Sequence, residues 1–249
     1  MDELFRKRMK DLAMQAYNKG IYTYSSFLSE AEISDIYGME REIDFIGFTL
    51  FGGYQESTRK LVRFGSLEQL GYDEDFPIDC ILIEPVNVKF GEELSHRDYL
   101  GALMNLGIER DTIGDILVKE KKAYVLCLGK ISDYILENLG KIRHTIVRVN
   151  KTEQIPQDIQ PNYSEEVLLV SSERADTIVA HFTKLSRSAA VELFREKAVY
   201  VNGRVYENNS GVLKNGDILS VRGYGKMIYD GIEASTRKGK LKVNIRRYQ

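Results

Sequence analysis

Hydrophobic positions along this chain alternate between helical spacing and a period of two, and the switches between them divide it into three segments. The first opens with a charged helix over residues 2–19. A second helix follows over 30–37, where Ser29 and Glu32 have capping-box spacing. In that arrangement the hydroxyl accepts from the third helical N–H while the carboxylate accepts from the N-cap residue's own N–H. Residues 44–51 predict a strand running into Gly52-Gly53-Tyr54. A double glycine after a strand either brings backbone N–H groups close to a phosphate or makes a tight turn, and the turn is the commoner use.

In the middle segment the pattern predicts strands over 79–84, 115–118, 123–128 and 142–149. Helices fall at 96–106, with Ser95 and Asp98 as a second capping box and Gly107 as a stop, and at 131–139, closed by Gly140. This βαββαβ order is that of a ferredoxin-like domain. RNA-recognition motifs share it but carry stacking aromatics on the third strand, where this chain has only Tyr124. The likeness is one of fold, and a fold does not fix a function. The polar stretch QIPQDIQPNYSEE, with Pro156 and Pro161, predicts a linker. The expected organisation is α+β: an N-terminal domain over 1–76, a ferredoxin-like domain over 77–152, a linker over 153–170 and a C-terminal domain over 171–249.

The last segment predicts two short helices against a small, strongly turned sheet. One helix spans 174–182; the other starts at Ser186, its N-cap, and presents Ala189, Ala190, Leu193 and Phe194. A strand over 198–201 reverses at Asn202-Gly203 into 204–206, and Asn215-Gly216-Asp217 turns into 218–221.

Charge sharpens this division. The formal net charge is only −2, yet residues 171–249 hold 15 basic and 8 acidic side chains, a net of +7, and the remainder holds 20 and 29, a net of −9. Such asymmetry predicts a polyanion-facing end on an acidic body. The final stretch STRKGKLKVNIRRYQ has six basic residues and no acid. No apolar run approaches the length of a membrane span and no secretory signal opens the chain, so the cytoplasm is the expected location and no membrane the expected context. Cys80 and Cys127 lie far apart in apolar stretches, as free buried thiols do. His96, His144 and His181 lack ligand spacing, so neither a metal nor another cofactor is expected.

The C-terminal segment resembles the S-four RNA-binding domain through Arg174-x-Asp176, Ser186-Arg187-Ser188-x-Ala190, Val199-x-Val201-Asn202-Gly203 and Gly216-Asp217-Ile218-x-Ser220-Val221. Ala175 stands where the family usually has leucine, and Lys197 or Ala198 where it usually has glycine. Arg174 and Arg187 fall at two predicted helix starts, where backbone N–H groups and the helix dipole favour phosphate. Ser186, Ser188, Lys197, Arg204, Arg222, Lys226, Arg237, Lys238 and Lys240 complete the candidate RNA-binding set. For any one of these the competing reading is a solvated surface charge or, for the serines, a helix cap.

Across its length the chain also resembles the YlmH family of Gram-positive bacteria. The shared motifs are Phe51-Gly52-Gly53-Tyr54, His96-Arg97-Asp98, Leu100-Gly101-Ala102, Leu106-Gly107-Ile108 and Gly114-Asp115-Ile116. The resemblance implies binding to ribosomal RNA on the large ribosomal subunit, with peptidyl-tRNA, in ribosome-associated quality control. It also implies a looser link to cell division. Two alternatives stand beside it: an RNA-modifying enzyme of pseudouridine-synthase type, and a protein-interaction module in residues 1–152. The enzyme reading has one tempting catalytic residue, Asp98, and capping explains that residue equally well. A non-enzymatic monomer is therefore the expectation.

Overall fold

The computed structural model describes residues 2–153, 155–159, 163–236 and 239–248, in two compact units, Met1–Gln160 and Pro161–Gln249. In the first unit the elements run α1 (Glu3–Lys19), β1 (Thr23–Tyr24), α2 (Glu30–Gly38), α3 (Glu40–Ile43), β2 (Phe48–Phe51), β3 (Leu61–Phe64) and α4 (Leu67–Leu70). They continue with β4 (Ile78–Pro85), α5 (His96–Asn105), β5 (Ile113–Lys119), β6 (Lys122–Leu128), α6 (Gly129–Asn138), β7 (Lys141–Ile142) and β8 (Thr145–Thr152).

Asp2 caps α1, and both expected capping boxes form, Ser29 with Glu32 and Ser95 with Asp98. The N-terminal sheet has the order β1-β3-β2 and the middle sheet the order β5-β6-β4-β8-β7, with every neighbour antiparallel. Leaving aside the two-residue β7, the middle order places the last and first strands together and the second at the edge, as a split βαβ unit requires.

Two expected strands are shorter than their apolar runs. Residues 44–47 turn before β2, because Asp44 is the C-cap of α3 and Gly47 takes φ 74°. The run over 142–149 breaks at Arg143, φ 51°, into the hairpin β7–β8. The expected boundary at residue 76 is a joint rather than a gap. Phe27, Tyr54 and Leu61 share one buried cluster with Leu126 and Leu128, so the two expected domains form a single unit.

The second unit runs β9 (Tyr163–Val170), α7 (Ala175–Thr183), α8 (Arg187–Arg195), β10 (Val199–Val201), β11 (Arg204–Val205), β12 (Ile218–Val221), β13 (Gly225–Ser235) and β14 (Leu241–Tyr248). All six strands form one antiparallel sheet, β11-β10-β12-β13-β14-β9. Asn202 and Gly203, at φ 49° and 74°, make the expected tight turn between β10 and β11. Ile178, Val179 and Phe182 of α7 and Ala190 and Phe194 of α8 pack on one face of the sheet, against Val170, Val199, Leu219, Met227, Val243 and Ile245.

Two stretches expected to be extended or loose are folded. Residues 163–170, placed in the linker, are β9, and most of the basic tail is β14, paired with β9 along its whole length. Alternation explains both: Leu168 and Val170, and Val243 and Ile245, enter the core while Glu165, Val167 and Lys242 face outward.

Candidate nucleic-acid interface

The C-terminal site is built around a buried carboxylate. Asp176, in the first turn of α7, has a side chain only 1% exposed. It accepts from Arg174 Nε at 3.1 Å and Nη2 at 2.7 Å, and from Arg187 Nη2 at 3.3 Å. Burial alone would raise the Asp176 carboxyl, but hydrogen bonds from Arg174 and the charge of Arg187 hold it below the ordinary value. The two guanidinium groups stay 39% and 58% exposed. One buried anion thus fixes two accessible cations side by side, an arrangement suited to the oxygens of a phosphodiester backbone.

One expectation about this site needs correction. Arg174 is the N-cap of α7 rather than a first-turn residue, and the Ala175 and Asp176 N–H groups donate to the carbonyls of Gly211 (2.8 Å) and Asn209 (2.9 Å). Those two donors of α7 are spent inside the fold, so at α7 the anion-binding capacity rests on guanidinium groups. At α8, Ser186 accepts from the Ala189 N–H at 3.2 Å and its hydroxyl lies 3.0 Å from that of Ser188. Ser186 therefore acts first as a cap. Beside the arginine pair lies a cleft of about 400 Å³ lined by Ser171, Thr177, His181, Lys184 and Arg187 among others. Lys184 and His181 were not among the residues expected here; His181 reaches the cleft from the last turn of α7, and Lys184 from the left-handed cap that follows it, φ 60°.

The other expected residues do not gather around this pair. Lys197, past the end of α8, is ion-paired with Glu207 at 2.9 Å. Arg204 is half-buried on β11, and Lys240 is exposed between β13 and β14. Arg222 and Lys226 lie against the rings of Tyr200 and Tyr248, at 5.8 and 5.0 Å from their centroids. Those tyrosines stand on the opposite side of the sheet from α7 and α8, since Val199, Val201 and Ile245 occupy the helix side. Arg237 and Lys238 lie outside the described residues.

In the first unit the helix-free face of the middle sheet, where RNA-recognition motifs stack bases, is covered. Ile78, Cys80, Leu126 and Leu128 of that face pack against Phe27, Tyr54 and Leu61, and Tyr124 is 9% exposed. Gly52 and Gly53 belong to this contact. A Cβ on Gly52 would come within 2.1 Å of the Arg59 carbonyl oxygen and one on Gly53 within 2.6 Å of Leu126. The glycine pair is a turn that permits close packing, not a phosphate cradle.

Residues 72–155 match a family described as "Putative RNA-binding domain in YlmH". The chain is 28% identical over 207 residues to the "Ribosome-associated protein quality control protein P2" of Bacillus subtilis (strain 168), across 81% of this chain and 78% of that one. A solved structure, "Cell division protein ylmH from Streptococcus pneumoniae", aligns with a TM-score of 0.50 at 21% identity, covering 61% of this chain and 90% of the other. The chain is similar to YlmH proteins over most of its length. At that identity the solved structure speaks for the fold alone. The domain matched as RNA-binding in YlmH is the middle segment, whereas basic charge pointed to the C-terminal one. The acidic balance of the first unit gives no sign of an RNA-binding role there, and the strand that carries stacking aromatics in RNA-recognition motifs lies on a face that the fold covers.

Proposed function

We propose that this protein is a member of the YlmH family, binds ribosomal RNA on the large ribosomal subunit, together with peptidyl-tRNA, and serves ribosome-associated quality control without catalysing a reaction. The observation that carries the reading is the Arg174–Asp176–Arg187 group. It is a preset pair of guanidinium forks in the more basic unit, within a segment that resembles the S-four RNA-binding domain. The named Bacillus relative and the matched RNA-binding family support the same reading. The middle domain contributes through its edges, loops and helices, because its helix-free face is closed.

One feature favours a binding role over catalysis. Asp98 is engaged by the Ser95 cap and lies 3.0 Å from Arg143, which accounts for its charge.

The test is a sucrose gradient of cell lysate, blotted for the full chain and for Arg187→Gln. Co-migration of the parent with large subunits and release of the variant is the expected result; co-migration of both would remove the arginine pair from the reading. Adding peptidyl-tRNA to purified subunits should then strengthen binding of the parent.

A second reading, in which residues 1–152 hold a protein partner, has one observation in its favour. Val86, Val88 and Phe90, between β4 and α5, are 62%, 58% and 78% exposed, close to Ile146 at 64%. A pulldown that survives nuclease treatment would support it, whether the partner belongs to the ribosome or to cell division; loss of every partner would count against it.

A further inference from the structure

The helix-free face of the six-stranded sheet carries aromatic residues in a row that runs across the strands. Tyr200 on β10 pairs in register with Ser220 on β12, and Ser220 with Lys226 at the start of β13. The Lys226 ammonium lies 5.0 Å from the ring centroid of Tyr248 on β14, and Tyr248 pairs in register with Tyr163 on β9. The last two rings meet edge to face at 4.7 Å. Five strands separated by about 4.8 Å make the row roughly 19 Å long.

Cations stand beside each ring. Arg222 donates to the Tyr200 hydroxyl and lies 5.8 Å from its ring, and Arg246 lies 5.7 Å from that of Tyr163. Arg246 is ion-paired with Asp230, at 2.9 and 3.0 Å, and Arg222, Lys226 and Lys242 add further basic side chains to the face, alongside the acid Glu165. None of these rings is in the hydrophobic core, which is filled from the other face by α7 and α8.

We propose that this face binds an unpaired RNA strand, with bases stacked on Tyr200, Tyr248 and Tyr163 and the backbone drawn along by the interleaved cations. Aromatic side chains on an open sheet, spaced by strands and flanked by basic residues, are what sequence-tolerant recognition of single strands requires. Paired bases, already stacked on one another, offer no free face to the tyrosines. The inference rests on the RNA-binding reading but uses the side of the sheet opposite the Arg174–Arg187 pair. A single domain would thereby grip a folded element with its helices and an adjoining unpaired strand with its sheet.

The experiment measures anisotropy of a short fluorescein-labelled oligouridine with the full chain, after thermal melting has confirmed that each variant is folded. Replacing Tyr200 and Tyr248 by leucine keeps apolar bulk but removes the stacking surface, and should weaken binding about tenfold or more. The phenylalanine pair, Y200F with Y248F, should bind about as the parent does. Unchanged affinity in the leucine pair would overturn the proposal, as would equal binding of a blunt RNA duplex lost in the same variant. Loss of a nuclease-resistant protein partner with oligouridine affinity intact would overturn it in favour of a protein surface. Arg187→Gln separates the two readings. Ribosome release by Arg187→Gln with an unaffected leucine pair defeats this inference alone. Oligouridine loss in the leucine pair with Arg187→Gln still ribosome-bound defeats the helix site alone.

Discussion

The Tyr54 hydroxyl donates to Asp115 Oδ2 at 2.8 Å, in the interior between the N-terminal and middle sheets. The same carboxylate accepts from the Thr58 N–H and hydroxyl, at 2.6 and 2.7 Å, and from the Arg59 N–H at 3.1 Å. Arg59 then donates to the carbonyls of Ile113 (3.0 Å) and Phe27 (2.9 Å). The motifs Phe51-Gly52-Gly53-Tyr54 and Gly114-Asp115-Ile116 are therefore two halves of one joint. Gly114 has the same role as Gly52, since a Cβ there would meet the Phe27 ring at 2.7 Å. The motifs hold the first unit together, and in doing so close the sheet face that an RNA-recognition motif would leave open.

Removing the centre of this joint should cost far more than removing one arm. Asp115→Ala orphans four donated hydrogen bonds at an 8% exposed site and should destabilise the protein by about 3–5 kcal/mol. Tyr54→Phe leaves three of them and should cost about 1–2 kcal/mol. Gly52→Ala, which drives a methyl into the Arg59 carbonyl, should cost about 3 kcal/mol. Urea unfolding followed by tyrosine fluorescence measures all three. An Asp115→Ala protein as stable as the parent would mean that the two sheets are joined by apolar packing alone.

The Arg174–Asp176–Arg187 group predicts a non-additive series. Replacing both arginines by alanine leaves a buried carboxylate without its partners, so the double variant should be less stable than the triple variant that also carries Asp176→Asn. Loss of ribosome binding in the double variant alone would thus confound function with folding; the triple variant and Arg187→Gln avoid this. The pH dependence follows the same carboxylate. Its folded pKa lies below the ordinary 3.8, so its contribution to stability is present above that value and is lost as pH falls through the lower folded one. Asp176→Asn should be less stable than the parent at neutral pH, with the gap closing in acid below about pH 4. Urea midpoints at a series of pH values report this, and a gap that stays constant into acid would contradict it.

How far the sequence revealed these features depended on whether the signal was local. The capping boxes at Ser29 and Ser95, the Asn202-Gly203 reversal and the N-cap at Ser186 were legible because each is set by residues within a few positions of one another. Strand β14 was not, since LKVNIRRY reads as a basic tail unless Val243 and Ile245 are recognised as its inward positions. The row of tyrosines was invisible for a different reason. Tyr163, Tyr200 and Tyr248 are far apart in the chain and meet only through strand register. Asp176 is visible in the sequence as part of a motif, but its part in holding Arg187 depends on the approach of two helices.

The two cysteines should be inert in the folded protein. Burial, with the nearby Asp79 charge second, pushes the Cys80 and Cys127 thiols up to about 12, so at about pH 8 the reactive thiolate is a minute fraction. Iodoacetamide should leave both unmodified in the native protein and alkylate both in guanidinium, as counted by intact mass. Rapid native alkylation of Cys127 would show that β6 opens readily, and with it the cluster that joins the two sheets.

Salt should separate the two proposed RNA surfaces. A guanidinium on a phosphate contributes through counterion release, so Arg187→Gln should weaken binding to a structured ribosomal RNA fragment and reduce the slope of log K against log salt by about 1. Tyrosine stacking releases no counterions. Replacing Tyr200 and Tyr248 by leucine should therefore lower affinity for an unpaired strand at every salt concentration while leaving that slope unchanged. The two measurements use the same titrations and differ only in variant and RNA. A leucine pair that flattened the slope would mean that the tyrosines act by positioning Arg222 and Lys226 on phosphates, and the sheet would then be an electrostatic surface rather than a stacking one.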